Sequence, residues 1–187
     1  TNSARYDSVI DPNVRPADHH DADDVAQLEL LESEARASLV GQRGGERWLI
    51  EHPEIGEQWV DRCGTDDVWV GHMGDVVVGY MVALLGLDSI IRVDQVWVTP
   101  EARELGFGDA LLAAAIAGAR ERGAVAVEGQ ALPGDRHTKN LYERAGIVAR
   151  LITTYKPLPP ATIRLPAAAH EPPAGRRGGG GVGGEAG

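Results

Sequence analysis

Cysteine is almost absent from this chain of 187 residues, which contains only Cys63. A single cysteine cannot form an internal disulfide, so we predict a protein of the reducing cytoplasm. Long hydrophobic runs are also missing, since no stretch approaches the roughly 20 apolar residues of a membrane-spanning helix. The sequence also does not show the basic segment followed by an apolar stretch that is typical of a signal peptide. We therefore expect no membrane partner.

Positive charge is scarce as well: 18 Lys and Arg stand against 28 Asp and Glu, a formal net charge of −10. Nucleic-acid binding depends on clustered Lys and Arg, so we expect no nucleic-acid partner. An acidic chain suits a cationic small-molecule partner better. The length allows one domain with a substantial core. We predict a flexible arm over residues 1–13, a domain over 14–157 and a disordered Pro/Gly/Ala-rich tail over 158–187.

The glycine motifs of two common nucleotide-binding folds are absent. Gly106 and Gly108 are followed by Leu111, where the Rossmann fingerprint needs a third small residue. No Gly-x4-Gly-Lys-Ser/Thr run of a P-loop exists either. These absences argue against a Rossmann-type or P-loop nucleotide enzyme.

Residues 92–116, RVDQVWVTPEARELGFGDALLAAAI, carry the strongest pattern that is present. They predict a strand that stops at Pro100, a glycine-containing loop and an amphipathic helix over about residues 107–122. A glycine turn before a helix leaves backbone N–H groups free at the positive end of the helix dipole. Such a helix start binds phosphates.

The remaining patterns place this stretch within an α/β order. The acidic residues 18–24 predict a solvated helix start, because no distant His or Cys cluster completes a metal site. Turn residues 73–75 join two strands into a hairpin, and the strand after the central helix should run parallel to the one before it. The predicted elements are a strand at 14–17, a helix after residue 24, short helices within 36–62, strands at 68–72, 76–82, 90–99 and 124–128, a helix at 136–145 and a last strand at 147–156.

Two motifs in this order resemble those of the GNAT acetyltransferase superfamily. The first is VTPEARELGFG over residues 98–108, which matches the coenzyme-A signature Arg/Gln-x-x-Gly-x-Gly/Ala after a strand ending in Val-x-Pro. The second is YERAGI over residues 142–147, which is similar to Tyr-x-x-x-Gly-Phe. The resemblance covers residues 14–157.

The resemblance implies an α/β fold of the acyl-CoA N-acyltransferase type, with a mixed, mostly antiparallel sheet flanked by helices. It implies acetyl-CoA as co-substrate and no metal. It assigns the main-chain N–H of Val98 to the thioester carbonyl and the Val96 backbone to the pantetheine arm, where the strand ladder splays. The residues that it places against the cofactor are Val96, Trp97, Val98, Arg103, Glu104, Leu105, Gly106, Phe107, Gly108, Asp109, Asp135 and Asn140.

Three carboxylates bear on how this cofactor site works. Glu104 and Asp109 bring negative charge close to the expected pyrophosphate, which costs affinity unless the side chains point away. Asp135 stands where relatives often have Asn, and a carboxylate lacks the donor half of an amide.

The reaction needs two proton transfers, for which the sequence offers candidates. The resemblance makes Tyr142 the acid that protonates the leaving thiolate, and a phenol is protonated at neutral pH. Asp94 on the key strand is the first candidate base. Glu128 at the end of the next strand is the second, and His137 in the loop before Tyr142 is the third.

These expectations predict an N-acetyltransferase that moves an acetyl group from acetyl-CoA to a primary amine by direct attack. The acceptor is a small-molecule amine or a protein amine, expected between residues 25–62 and the last strand, and a homodimer is compatible with the family. The alternative is a non-catalytic acyl-CoA-binding sensor or regulatory module of the same fold. Glu104, Leu105 and Asp135 are consistent with that alternative.

Overall fold

The computed structural model describes residues 11–65, 67–156 and 158. The chain divides into two units, Thr1–Arg150 and Leu151–Gly187. Every helix and strand of the described residues belongs to the first unit, and residues 151–156 of the second unit form neither. The predicted arm up to residue 10 and the predicted tail from residue 159 lie outside the described residues.

The elements of the first unit follow the predicted order. They are β1 (Asn13–Pro16), α1 (Ala22–Leu39), α2 (Gly45–Glu51), a 3-10 helix (Gly56–Gln58), α3 (Trp59–Cys63), β2 (Val68–Met73), β3 (Val76–Leu85), β4 (Ile90–Val98), a second 3-10 helix (Pro100–Ala102), α4 (Phe107–Glu121), β5 (Ala126–Gly129) and α5 (Arg136–Arg144). The acidic start predicted for α1 is a capped one: the Asp21 side chain accepts the N–H of Asp23. Such a cap satisfies a donor that the helix itself leaves free.

The five strands form one sheet in the order β1-β2-β3-β4-β5. Neighbouring strands are antiparallel except for β4 and β5, which are parallel. The β2–β3 hairpin turns at Gly74, whose φ of 60° suits glycine. α4 provides the crossover that a parallel pair requires. The predicted mixed, mostly antiparallel sheet with flanking helices is confirmed.

Two hydrophobic cores cover opposite faces of the sheet. One packs α1 and α3 against the strands around Leu28, Trp59 and Tyr80, and the other packs α4 and α5 around Met81 and Leu112. Tyr80 and Met81 are neighbours in β3 and enter different cores, as the alternation of side chains along a strand requires. The two faces therefore offer separate approaches to β4.

The last predicted strand is wrong, because residues 147–156 form neither helix nor strand. Their β-branched composition favours a strand, but β-propensity stabilises a strand only when a neighbouring strand pairs with it. α5 instead ends in a turn at Gly146 (φ 76°), where the N–H of Ile147 donates to the carbonyl of Tyr142 at 2.9 Å. That bond satisfies a free carbonyl at the helix end. Among the described residues, β5 is consequently an edge strand.

Candidate active site

β4 and β5 separate part-way along their length. Residues 90–93 pair with residues 126–129, and no register pair follows Val93 with Gly129. β4 continues on this side, without β5, to Val98. The opening between the two strands is the splay that the resemblance implied.

Backbone groups of β4 face this opening. The N–H of Thr99 donates to the carbonyl of Val78 on β3 at 2.9 Å. Because successive residues of a strand direct their backbone groups to alternate sides, Val98 and Val96 point theirs away from β3. The Val98 carbonyl accepts Nε of Arg103 at 3.1 Å. The Val98 N–H is left facing the opening.

The loop after β4 passes twice through left-handed backbone conformations. Glu104 has a φ of 68° and Gly106 a φ of 88°. The first is unusual for a side chain with a Cβ and costs roughly 1–2 kcal/mol, whereas glycine adopts the second freely. After this turn the N–H groups of residues 106–109 make no hydrogen bond within the described chain. They form the free helix start that the sequence predicted for a phosphate.

Two side chains hold this loop in place. Phe107 is buried, and a Cβ built on Gly71 would lie 2.9 Å from its ring, so β2 has a glycine where the ring packs. Phe107 therefore offers a ligand its backbone N–H only. The Arg103 guanidinium lies 4.7 Å from the centre of the Trp97 ring, within cation–π range. Leu105 is half-buried between these two anchors.

The negative charge of Asp109 is paired within the protein. Both of its oxygens accept hydrogen bonds from Arg144 of α5, each at 2.9 Å. This hydrogen bond raises the pKa of Arg144 above its usual value. A bidentate pair of this kind directs the carboxylate toward α5 and offsets its charge. The repulsion expected from Asp109 is thereby reduced, and Glu104 is solvent-exposed.

Tyr142 lies at the corner of the opening. Its side chain packs on Gly129, the last paired residue of β5: a Cβ there would lie 2.5 Å from its Cζ and 2.6 Å from its hydroxyl oxygen. The ring is buried, yet the hydroxyl has no hydrogen-bond partner in the described chain. Burial, helped by the negative charge of Asp135, raises the pKa of Tyr142 above its ordinary value. The phenol is therefore protonated and unpaired.

The carboxylate of Asp135 caps the start of α5. It is the N-cap of α5, where its side chain accepts the N–H of Thr138 at 3.1 Å. Asp is among the residues that serve best at this position. The cap fixes the start of the helix that carries Tyr142.

The other predicted site residues differ in whether they are paired with a charged group or exposed to solvent. Glu128 pairs with Arg92 at 3.2 Å, directly across the paired part of the β4–β5 ladder. Asn140 and His137 are exposed on α5. Glu128 thus has a cation of its own, which makes it less suited than Asp94 to act as a base.

A β-bulge turns Asp94 toward the other face of the sheet. Gln95 pairs with Val82 and Val93 with Ala83, so Asp94 is one extra residue in β4. Bulges re-aim side chains and are common beside active sites. Asp94 faces His52, which follows α2, and Gln95 donates to Glu32 of α1, whereas Val93 lies in the α4 core.

The sequence did not reveal that His52 lies at this site. His52 follows α2, and its Nε2 is 3.8 Å from Oδ1 of Asp94. Its ring stacks on Trp48 with centroids 4.3 Å apart. The only sequence signal was the spacing of Trp48 and His52, which places them one turn apart.

Glu32 is a second site residue that the sequence did not reveal. It is fully buried in α1 and accepts the N–H groups of Ile55 and Gly56 and Nε1 of Trp59 at 2.9–3.1 Å. Gln95 donates to it at 3.4 Å. A buried carboxylate is stable when several donors surround it. This cluster ties the bulge of β4 to the segment after His52.

The predicted location of the acceptor needs a correction, because the last strand that was to form one wall is absent. A cavity of about 370 Å³ lies between residues 42–43 and residues 133–137. Its walls are the α1–α2 connection and the loop that starts α5.

Two further properties of the described residues bear on the site. No group of three or more His, Cys, Asp or Glu side chains among them is arranged to hold a metal ion. No helix in this part of the chain has the length and apolarity to cross a membrane.

A sheet that splays between two parallel strands, a helix start with free N–H groups and a free phenol at the corner define an acyl-CoA-dependent acyltransferase. Residues 24–147 match the Acetyltransferase (GNAT) family, and the chain belongs to this family. It is an acetyl-CoA-dependent N-acetyltransferase, and its acceptor is an amine. No curated protein sequence matches the chain.

Solved structures share the fold. The aminoglycoside N-acetyltransferase AAC(6')-Iy is 13% identical with a TM-score of 0.56, and the match covers 79% of this chain and 99% of that one. A ribosomal-protein-alanine N-acetyltransferase from Brucella melitensis biovar Abortus 2308 is also 13% identical (TM-score 0.56; 80% and 100% covered). An integron cassette protein from the mobile metagenome of Cole Harbour Salt Marsh is 25% identical (TM-score 0.55; 79% and 91% covered).

Proposed function

We propose that this enzyme acetylates a small cationic amine at the opening between β4 and β5. The observation that carries this proposal is the end of the β4–β5 ladder at Val93 and Gly129, with the free Tyr142 hydroxyl beside it. The opening gives a thioester access to β4 from the α4 face. The bulge at Asp94 gives an amine access to the same strand from the α1 face.

The pyrophosphate of acetyl-CoA fits the start of α4. The free N–H groups of residues 106–109 act there together with the helix dipole. Arg103 adds a positive charge at the end of β4, and Arg144 offsets Asp109. The Val96 backbone is available to the pantetheine arm.

The transfer itself is direct. The amine nitrogen forms a bond to the carbonyl carbon while the carbon–sulfur bond breaks and its electron pair goes to sulfur. The Val98 N–H stabilises the oxyanion that develops on the carbonyl. Tyr142 then gives its proton to the thiolate, and the raised pKa of Tyr142 keeps that proton in place at neutral pH. The proton released by the amine is the source that restores the phenol.

The acceptor class follows from charge and position. Asp94 is partly exposed at the bulge and lies beside His52, whose ring stacks on Trp48. A carboxylate beside an aromatic surface suits an ammonium group. The net charge of −10 attracts cations to the whole molecule. The structural neighbour AAC(6')-Iy was solved in complex with the bisubstrate analogue CoA-S-monomethyl-acetylneamine, which is compatible with a small amine acceptor.

We also propose that the acetyltransferase domain spans residues 14–157, that residues 158–187 are not needed for catalysis and that the enzyme works in the cytoplasm. A truncation after residue 157 should therefore keep full activity.

Thiol release from acetyl-CoA, measured with a panel of amines, tests the proposal. Polyamines and aminoglycosides should give release that depends on the amine. Release only with peptides that carry a free N-terminus or lysine would contradict the small-amine acceptor. Binding of acetyl-CoA without release on any amine would favour the non-catalytic module.

A further inference from the structure

His52 lies on the acceptor side of β4, where no role has been assigned to it. Its Nε2 is 3.8 Å from Oδ1 of Asp94, and the side chains are 18% and 27% exposed. This exposure lets a substrate reach both groups. Asp94 stands at the bulge, at the point where β4 leaves β5.

Two residues of α1 fix the backbone around His52. Arg36 donates to the carbonyl of His52 at 2.9 Å, and Glu32 accepts the N–H groups of Ile55 and Gly56. Glu32 and Arg36 are one helical turn apart, so they lie on the same side of α1. His52 is therefore held from both sides by a buried network that also contacts Gln95, the residue after Asp94.

The hydrogen bonds of the ring decide which nitrogen is available. Nδ1 lies 3.0 Å from the carbonyl of Trp48, which can only accept, so Nδ1 carries a proton. In the neutral ring Nε2 then has a free lone pair. That lone pair faces the side of Asp94.

The geometry points to His52 as the group that takes the proton from the acceptor amine, with Asp94 holding the ammonium; this inference rests on the proposed function. A gap of 3.8 Å is too long for a direct hydrogen bond, yet one nitrogen fits within about 2.9 Å of both groups. The N–H bond of the ammonium breaks, its electron pair stays on nitrogen and the proton binds Nε2. The nitrogen attacks the thioester, and the imidazolium releases its proton afterwards.

The charged groups that face His52 come from each element packed against it. Asp94 of β4 faces the ring, Arg36 of α1 binds its backbone, and Glu32 of α1 binds the segment that follows. Imidazole is the side chain that acts most often as a general base in enzymes. Within the described part of the chain, Arg36 and Glu32 bind backbone groups of this segment and form no hydrogen bond or ion pair with the ring itself.

The test compares steady-state kinetics of His52→Gln, Asp94→Asn and the matched control His20→Gln, which changes an exposed histidine before α1. We expect His52→Gln to lower kcat about 100-fold with little change in KM for the amine, as for loss of a general base. Asp94→Asn should mainly raise KM for the amine. His20→Gln should behave like the wild type.

Two further readouts separate proton transfer from a structural effect. The acidic limb of the kcat/KM profile between pH 5 and 8 should disappear in His52→Gln. Free imidazole should restore activity to His52→Ala in proportion to its concentration. Affinity for coenzyme A, measured by calorimetry, should be unchanged in all variants and shows that they are folded.

The outcomes distinguish the two claims. A His52→Gln enzyme with wild-type kcat and pH profile would overturn the role of His52 and leave the proposed function standing. The role of His52 would also be overturned if imidazole did not restore activity to a folded His52→Ala enzyme and this enzyme kept the acidic limb of its kcat/KM profile. A wild type that releases no thiol with any amine would overturn both.

Discussion

Replacing Gly108 by alanine separates binding of the pyrophosphate from the stability of the fold. Gly108 is the second residue of α4 and has ordinary helical space around it. A Cβ there would lie 3.6 and 3.8 Å from the methyl groups of Leu141, which is normal contact. The folded protein therefore accepts the methyl group.

Gly108→Ala should raise the stability of the fold and lower the affinity for coenzyme A. Alanine is a better helix former than glycine, so the free energy of unfolding should rise by about 0.5 kcal/mol. For a domain of this size that raises Tm by about 1–2 °C. Helical Cβ atoms tilt toward the N-terminus of the helix, so we expect the methyl group to crowd a phosphate that approaches residues 106–109. Loss of one charge-assisted hydrogen bond, about 1.5–3 kcal/mol, raises Kd for coenzyme A about 10- to 100-fold.

The assay is isothermal titration of coenzyme A into wild type and Gly108→Ala, with Tm measured on the same samples. S-acetyl-pantetheine, which has no phosphate, is the ligand control and should bind both proteins equally. Gly64→Ala is the variant control, because Gly64 caps α3 on the other face of the sheet and has room for a Cβ at 3.4 Å. An unchanged Kd for coenzyme A in a folded Gly108→Ala protein would show that the pyrophosphate does not bind at α4.

Three other changes test the remaining parts of the account. Tyr142→Phe should lower kcat at least about 10-fold, because it removes only the hydroxyl that faces the opening; a wild-type rate of thiol release would remove Tyr142 from the acid role. Arg144→Gln should weaken coenzyme-A binding several-fold by leaving Asp109 uncompensated near the pyrophosphate; adding Asp109→Asn should restore the affinity, and no restoration would contradict the charge argument. Burial opposes ionisation of Asp24, but hydrogen bonds from Arg15 and from the N–H of Asp18 outweigh it and lower the pKa of Asp24. The stability from this pair is therefore complete above the unfolded value of about 3.9 and is lost as pH falls through the folded pKa. Asp24→Asn should cost about 2 kcal/mol in urea unfolding at pH 7, and an equal cost at pH 2 would contradict this assignment.

Local patterns in the sequence were enough for the elements around the cofactor. The hairpin at β2–β3, the strand that stops before Pro100 and the glycine turn into α4 each depend on residues close together in the chain. The same holds for the start of α5 at residue 136. These features follow from turn chemistry and periodicity, which act over a few residues.

The acceptor side depends on contacts that periodicity does not encode. The bulge at Asp94 follows from the register between β3 and β4, and without it the side chains of β4 would alternate differently. His52 and Asp94 meet only because Glu32 and Arg36 of α1 hold the segment between α2 and α3. The strand predicted over residues 147–156 failed for the same kind of reason, since the chain around Ile147 is used to end α5.

The pairing of Asp109 with Arg144 shows how a local sequence argument about charge can be corrected by the fold. Asp109 looked unfavourable beside a pyrophosphate. Arg144 is 35 residues away in the sequence and lies on a different helix. Only the packing of α5 beside α4 brings the two charges together.

The most direct measurement of the central claim is mass spectrometry of both products after incubation with acetyl-CoA and a cationic amine. The account predicts free coenzyme A and N-acetylated amine in equal amounts from the wild type, with both formed at least about 10-fold more slowly by Tyr142→Phe. Free coenzyme A without acetylated amine, or equal rates in the two proteins, would contradict it.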